Sequence, residues 1–310
     1  MGFRRKLTIR GLDVFTDRPL SGNPTTVVLN ADGLRDGDMQ AVARELNLET
    51  TFVLQTTVAG ADFQLRYFMP LREIELCGHG TIGAIWALAE EGLLQRGVSS
   101  VVVKTAVGSL KVALEWARED LQNLVMDQLA PEFNAPTCSV EEVAQALGLA
   151  PSEIVTEQLP LMCASTGRAK LLIPIGEWKA LDRIAVDERA LGELCQRLEV
   201  TGLYPFTLKP RKPGAIAEAR QFPYGGGVPE DPVTGVAACA LGAYLVHQGV
   251  VQTEEPVAQL VVEQGHAIGR PGRVEVRVHV ENGEIVGTAI AGRAVTVSRA
   301  EMQVLPTKSA

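Results

Sequence analysis

Apolar positions in this chain mostly alternate with polar ones, and only a few stretches repeat every third and fourth residue. Residues 7–15, 25–29, 49–54 and 62–68 read as strands; 98–105 and 109–116 alternate as a hairpin about Val107-Gly108, and 122–128 is a further strand. Met39, Val42, Ala43 and Leu46 share one face of a helix over 36–47. Past an irregular connection at 129–139, Ser139 and Glu142 have the spacing of a capping box that opens a helix to Leu147. Residues 151–167 show no regular pattern, 168–175 is a strand and 187–197 is an amphipathic helix. Strands at 203–209 and 215–222 pair across a Pro/Gly loop, and 257–263, 273–280, 284–292 and 294–298 close the chain, with Asn282-Gly283 as a two-residue hairpin turn. The tail at 308–310 is expected to be loose. This order predicts an α+β fold with mixed or antiparallel sheet, because strands rarely alternate singly with helices.

Two stretches stand apart because they are almost free of charge. A helix running from Gly80 to Gly92 follows Arg66-Tyr-Phe-Met-Pro-Leu-Arg-Glu-Ile-Glu-Leu-Cys77-Gly78-His79-Gly80-Thr81. A second, ending near Gly249, follows Arg220-Gln-Phe222, the run Gly225-Gly226-Gly227 and Asp231-Pro-Val-Thr234-Gly235. The differences 220 − 66, 222 − 68, 231 − 77 and 238 − 84 are all 154, about half of the 310 residues. The chain therefore reads as a duplicated fold, with Cys77 and Asp231 on corresponding turns. The end-to-end offset, 249 − 92, is 157, which predicts a second helix about one turn longer than the first. Each glycine-bearing turn lets the backbone approach a ligand, and each helix start offers unpaired N–H groups to a carboxylate or phosphate. One such start per half predicts a single site between two lobes.

Composition narrows the function classes. Apolar residues make up 46% and charged residues 21%, as in an ordinary globule, and the length favours two domains. A net charge of −8 argues against nucleic acid or an anionic membrane as partner. Neither an apolar run long enough to span a bilayer nor a signal peptide is expected, and the five cysteines form no C-x-x-C pair, so a reduced, cytoplasmic setting is expected. Four histidines without ligand spacing to one another or to cysteine predict no metal site. No dinucleotide fingerprint, phosphate loop or nucleophile elbow occurs in the required context, so no cofactor is expected.

The groups that could carry chemistry are Cys77, His79, Asp231 and Thr234 at the repeated turns, and Glu49 between a helix end and an apolar strand. A carboxylate drawn into a cleft is a competent general acid or base near neutral pH. Most glutamates at a strand start are simply solvated, and a lone histidine at a helix start often only bonds the backbone.

Three blocks, Phe15-Thr-Asp-Arg-Pro-Leu-Ser-Gly-Asn23-Pro24, Leu76-Cys-Gly-His-Gly-Thr81 and Pro229-Glu-Asp-Pro-Val-Thr-Gly235, resemble the signature blocks of the phenazine-biosynthesis PhzF-like family; Gln264-Gly-His-Ala-Ile-Gly-Arg-Pro271 resembles a fourth. The resemblance runs from about residue 7 to the C-terminus. It implies a diaminopimelate-epimerase-like fold of two pseudo-symmetric lobes, each a mixed or antiparallel sheet wrapped round a central helix. The lobes would be residues 1–130, completed by a C-terminal strand over 293–310, and residues 131–292. It also implies cofactor-independent isomerisation of a small carboxylate by proton transfer in the interlobe cleft. In that reading Glu49 moves the proton, and His79 and Asp231 assist. Gly78, Gly80 and Gly235 cradle the carboxylate, while Asn23, Cys77, Thr81, Thr234 and Val236 complete the binding side. A homodimer is compatible with it. The related racemases carry a cysteine at both turns, and this chain carries one, so a two-thiol racemase is not expected. The family pattern Asn-Leu-Ser-Glu-Thr is Asn47-Leu48-Glu49-Thr50 here, and Thr-Gly-Ser-Ala is Thr234-Gly235-Val236-Ala237, differences that bear on specificity rather than fold. The alternative is a member of the same fold that binds a carboxylate or a protein partner without turnover.

Overall fold

A helix that is apolar on every side has to be surrounded by protein, and this chain surrounds two of them. The computed structural model describes residues 5–252 and 256–305. Its helices are α1 (Asp36–Leu46), α2 (Gly78–Glu90), α3 (Val140–Leu147), α4 (Trp178–Arg183), α5 (Glu188–Leu198) and α6 (Gly235–His247). The chain divides into two compact units, Met1–Met126 with Gly292–Ala310, and Asp127–Ala291. The uncharged helices are the centre of each: α2 is buried from Gly80 to Leu88, and α6 is buried at Gly235 and again from Ala237 to Leu245. Small residues let the sheet come close. A Cβ on Gly83 would meet the Thr25 methyl at 2.7 Å, and one on Gly242 would meet a Val276 methyl at 2.7 Å.

The strands of the first unit run in the order Ala294–Val304, Arg5–Val14, Asn23–Val28, Thr50–Leu54, Phe63–Phe68, Ser100–Thr105, Gly108–Ala117, Asp120–Gln128. Those of the second run Glu132–Asn134, Met162–Ser165, Lys170–Pro174, Gly202–Thr207, Ala217–Ala219, Val257–Gln264, Gly272–Glu281, Glu284–Gly292. In both series the third and fourth strands are parallel, the fifth and sixth are parallel, and every other neighbouring pair is antiparallel. The mixed-sheet α+β expectation holds, and the two units repeat one topology.

Several short elements escape sequence reading. The connection over 129–139 contains the strand Glu132–Asn134, and the stretch 151–167 contains a 3₁₀ turn (Pro151–Glu153) and the strand Met162–Ser165. These strands of three and four residues pair with each other, too briefly to show alternation. Helix α4, six residues long, spans fewer than two turns, too few to show the helical period. The last strand extends past 298 to Val304 because Arg5–Val14 pairs along it, Arg5 opposite Val304. Ser139 and Glu142 form the expected capping box, Ser139 N–H to Glu142 Oε2 at 2.8 Å and Glu142 N–H to Ser139 Oγ at 3.2 Å. The tail at 308–310 lies outside the described residues.

The offset of the repeat needs one correction. Helices α2 and α6 are both 13 residues long, and 235 − 78 and 247 − 90 both give 157, so the second helix is not a turn longer. The extra three residues lie before it. Tyr67 pairs with Ile74, and Gln221 bridges Asp231; 221 − 67 is 154 but 231 − 74 is 157. The insertion is absorbed in the loop that contains Gly225-Gly226-Gly227, where Gly225 and Gly227 take positive φ. The residue that corresponds to Cys77 is therefore Thr234, the N-cap of α6, and Asp231 corresponds to Ile74.

The duplicated arginines are held alike but buried differently. Arg66 lies over the Phe68 ring at 5.2 Å and donates to both oxygens of Glu73, each at 2.7 Å; Arg220 lies over Phe222 at 4.8 Å and donates to both oxygens of Glu230 at 3.0 and 2.6 Å. The Glu230 side chain is 7% exposed and that of Glu73 is 40% exposed. Breaking a buried pair strands a charge, whereas an exposed pair is screened by water. Glu230→Ala is expected to destabilise the fold by about 3–5 kcal/mol, and Glu73→Ala by about 1 kcal/mol or less, in denaturant titrations. Equal costs would show that burial does not set the difference.

Candidate active site

Glu49 reaches its position through backbone geometry. Helix α1 ends on Asn47, which takes φ 52° and returns its N–H to the carbonyls of Ala43 and Arg44. Asparagine tolerates this left-handed state better than most residues. Two residues later the Glu49 carbonyl accepts the Thr26 N–H at 3.0 Å, which docks the segment onto strand Asn23–Val28 before strand Thr50–Leu54 begins. The side chain is then 10% exposed, with Oε1 3.5 Å from His79 Nε2. Among the described residues Glu49 Oε1 and its neighbour Thr51 Oγ1 are buried without a hydrogen-bond partner.

The start of α2 supplies the other side. Cys77 is the N-cap, and its Sγ accepts the Gly80 N–H at 3.3 Å. The same sulfur lies 3.3 Å from His79 Nδ1. Thr81 N–H and Thr81 Oγ1 both donate to the Cys77 carbonyl, at 3.0 and 2.7 Å, and the Tyr67 hydroxyl sits 2.7 Å from Thr81 Oγ1. Burial pushes the Tyr67 phenol up, partly offset by that bond to Thr81. Thr81 is fully buried, and its hydroxyl is spent inside the helix start. With Gly80 and Thr81 N–H taken, the first-turn donors of Gly78 and His79 remain for an anion among the described residues. Glycine at position 80 lets the neighbouring side chains come close: a Cβ there would lie 2.6 Å from Thr51 Oγ1 and 2.8 Å from Glu49 Oε1. Asn23 is buried at the start of its strand, opposite Val14.

In the second unit Asp231, Thr234, Gly235 and Val236 gather at the start of α6. The Thr234 hydroxyl donates to Asp231 Oδ2 at 2.5 Å. Gln264 organises this turn: its Nε2 donates to the Asp231 carbonyl at 2.7 Å, and its Oε1 accepts from Thr234 N–H at 3.2 Å and from the Tyr204 hydroxyl at 3.1 Å. The Thr166 hydroxyl donates to the Val236 carbonyl at 3.2 Å. Sequence reading marked Gln264 only as the head of the fourth block, and it missed Thr166 and Tyr204 altogether.

The duplication sets the two helix starts against each other chemically. Helix α5 ends at Leu198 and α1 at Leu46, both followed by a left-handed cap, Glu199 and Asn47. The difference 198 − 46 is 152, which places Thr201 where the first unit has Glu49. At the three matching positions the first unit carries Glu49, Cys77 and His79, and the second carries Thr201, Thr234 and Val236. Only the first unit has a carboxylate, thiol and imidazole together.

Beside Thr201 sits Lys170, 4% exposed, whose Nζ donates to the Thr201 hydroxyl at 2.8 Å and carbonyl at 3.3 Å. Burial lowers this lysine from the usual 10.5 to about 8, with Asp231 acting in the opposite direction. A lysine with a depressed folded pKa binds fewer protons folded than unfolded between about 8 and 10.5, so folding gains stability as pH rises through that window. Relative to Lys170→Met, the wild-type protein is expected to gain about 2–3 kcal/mol between pH 8 and 10.5, read as the difference of two denaturation series. A pH-independent difference would mean that Lys170 is solvated.

Three comparisons place this architecture. The profile of the PhzC/PhzF family, phenazine biosynthesis-like proteins, matches residues 12–300. The chain is 35% identical over 301 residues to an uncharacterised isomerase of Clostridium acetobutylicum, covering 96% of this chain and 98% of the relative. It is 30% identical over 289 residues to the trans-2,3-dihydro-3-hydroxyanthranilate isomerase of Pseudomonas chlororaphis, covering 93% and 96%. Its fold matches the crystal structure of a PhzF-family phenazine biosynthesis protein of Bacillus anthracis with a TM-score of 0.89 and 33% identity, over 97% and 99% of the two chains. A hydroxyproline epimerase of Agrobacterium vitis shares the fold alone, with a TM-score of 0.62 and 16% identity over 98% and 94%. No helix among the described residues is long and apolar enough to cross a membrane. The chain belongs to the PhzC/PhzF phenazine biosynthesis-like family, whose relatives are named isomerases, and it has the fold of the diaminopimelate-epimerase-like enzymes.

Proposed function

We propose that this protein isomerises a small, unsaturated or cyclic carboxylate by moving a proton between two carbons, without a cofactor. The observation that carries the reading is the Glu49 carboxylate, nine-tenths buried, with Oε1 unbonded and His79 Nε2 3.5 Å away. A buried carboxylate oxygen that bonds to nothing is costly unless a proton or a ligand meets it during the working cycle. Glu49 takes the proton from the first carbon and returns it to the second. His79, beside it, orients that carboxylate and stabilises charge that develops on the substrate. The Gly78 and His79 N–H groups hold the substrate carboxylate at the helix start. One acid–base group serves both half-steps, in keeping with the absence of a second carboxylate or thiol at Thr201 and Thr234. The same assay on Asp231→Asn reads whether that carboxylate, bonded to the α6 cap, takes part.

Substrate panels with a deuterium label test this. Small unsaturated cyclic carboxylates, with trans-2,3-dihydro-3-hydroxyanthranilate among them, are labelled at the carbon next to the unsaturation and incubated with desalted protein. The label is expected to migrate within the molecule or to wash out, with a product of the same skeleton. A protein that binds members of the panel and leaves every label in place is a carboxylate-binding protein, not an isomerase.

A further inference from the structure

Two side-chain groups bring carboxylate, imidazole or thiol ligand atoms within 4.8 Å of one another, Glu49-Cys77-His79 and Glu218-Glu263-His266. The second is already neutralised. Arg211 donates to both oxygens of Glu218 at 2.6–3.1 Å, and Arg273 lies 3.5 Å from Glu263 Oε1, so a cation would meet two guanidinium groups. The first has no guanidinium on its carboxylate oxygen: Glu49 Oε1 is buried and unbonded among the described residues.

We propose that Glu49, Cys77 and His79 form a three-ligand site for a borderline-soft divalent cation of the zinc type, and that the bound ion holds the enzyme inactive. The site itself stands on geometry; its effect on turnover rests on the function proposed above. Zinc binds sulfur at about 2.3 Å, imidazole nitrogen at about 2.0 Å and carboxylate oxygen at about 2.0–2.2 Å in a tetrahedron. Those lengths put sulfur and nitrogen about 3.5 Å apart and nitrogen and oxygen about 3.3–3.4 Å apart. Here Cys77 Sγ lies 3.9 Å from His79 Nε2, and Glu49 Oε1 lies 3.5 Å from the same nitrogen. The sulfur also lies 3.3 Å from His79 Nδ1, so the imidazole must turn about its Cβ–Cγ bond before its Nε2 lone pair points between sulfur and carboxylate. Cys77 and His79 flank a single glycine, so two ligands come from one turn of backbone and the third from the α1 exit. Three protein ligands leave one corner open to water or to the carboxylate of a bound metabolite, the pattern of an accessible rather than a structural site. The ion would take up the lone pairs of Glu49 and His79 on which proton transfer depends. Sequence spacing misses the site because Glu49 lies 28 residues from Cys77 in the chain.

The other thiols compete poorly. Burial pushes Cys163 up to about 11 and Cys195 and Cys239 up to about 12, and only the thiolate binds the ion. Cys138 is half-buried and serves as the control.

Titration of the metal-free full chain with Co²⁺, a spectroscopic stand-in for Zn²⁺, decides the matter. The expected result is one equivalent of Co²⁺ with a thiolate-to-metal charge-transfer band and the intense visible bands of a tetrahedral ion. The band disappears in Cys77→Ser, in which serine still caps α2, and persists in Cys138→Ser. Zn²⁺ displaces the Co²⁺ and raises the unfolding temperature of the wild type but not of Glu49→Gln. A wild type without the band, or a band that survives Cys77→Ser and falls in Cys138→Ser, overturns the proposal. The labelled-substrate assay on metal-free protein is independent of this: label transfer without the band removes the metal site alone, and the band without label transfer removes the isomerase reading alone.

Discussion

Glu49→Gln is expected to lower turnover by roughly 10²–10⁴-fold or more while the fold and carboxylate binding survive. Glutamine keeps the size of the side chain and one hydrogen-bonding oxygen, but it cannot accept and return a proton. Among the described residues the carboxylate it replaces makes no ion pair apart from the 3.5 Å approach of His79, so little stability is tied to its charge. The unfolding midpoint should stay close to the wild-type value, and a non-reacting carboxylate should bind with similar affinity. Glu45, exposed on α1, provides the contrast, since Glu45→Gln should leave turnover unchanged. A Glu49→Gln protein working at the normal rate hands the proton to His79 or Asp231.

The second large effect comes from adding a single carbon. Gly80→Ala places a Cβ 2.8 Å from Glu49 Oε1 and 2.6 Å from Thr51 Oγ1, both closer than van der Waals contact allows. Position 80 lies within α2, where alanine is preferred over glycine by about 1 kcal/mol. That gain partly offsets the strain, so the unfolding temperature should move only slightly. The Thr51 hydroxyl has to turn, and the Glu49 carboxylate, the end of a flexible side chain, has to move aside. A displacement near 1 Å costs on the order of 10²-fold in rate, so kcat should fall roughly 10–100-fold with little loss of stability. A large drop in unfolding temperature at unchanged kcat would place the strain in the helix instead.

Much of the fold is legible in the chain because its signals are strong. Two nearly uncharged helices, each preceded by an arginine strand and a glycine turn, reveal the duplication in the chain itself. What the sequence hides is the three-residue insertion around Gly225–Gly227. Asp231 falls at the same offset from Cys77 as Arg220 from Arg66, so the eye matches it to Cys77, when the N-cap equivalent is Thr234. Backbone pairing, Tyr67 with Ile74 and Gln221 with Asp231, is what resolves the register. Short strands such as Glu132–Asn134 carry too few residues to show a period and exist through their partners.

The candidate site is legible in its backbone and obscure in its charges. Cys77, Gly78, His79 and Gly80 sit together in sequence, and their turn announces itself. Nothing local distinguishes Glu49 from Glu45; a resemblance to other proteins singles it out. The physical difference arises three-dimensionally, from the left-handed Asn47 and the bond from Thr26 that together turn one carboxylate inward. Gln264, Lys170 and Thr201 are hidden for the same reason, each meeting its partner across more than 30 residues or, for Gln264, exactly the 30 that separate it from Thr234. The comparison of Glu49-Cys77-His79 with Thr201-Thr234-Val236 explains why one half of a symmetric fold would carry the chemistry.

The crystal structure of Glu49→Gln with a substrate bound and unreacted decides whether the residue at position 49 carries the proton. The reacting carbon is expected within about 3–5 Å of the side-chain amide at position 49, with the substrate carboxylate on the Gly78 and His79 N–H groups. A substrate whose reacting carbon lies well beyond that reach, with Asp231 as the nearest titratable group, would contradict it.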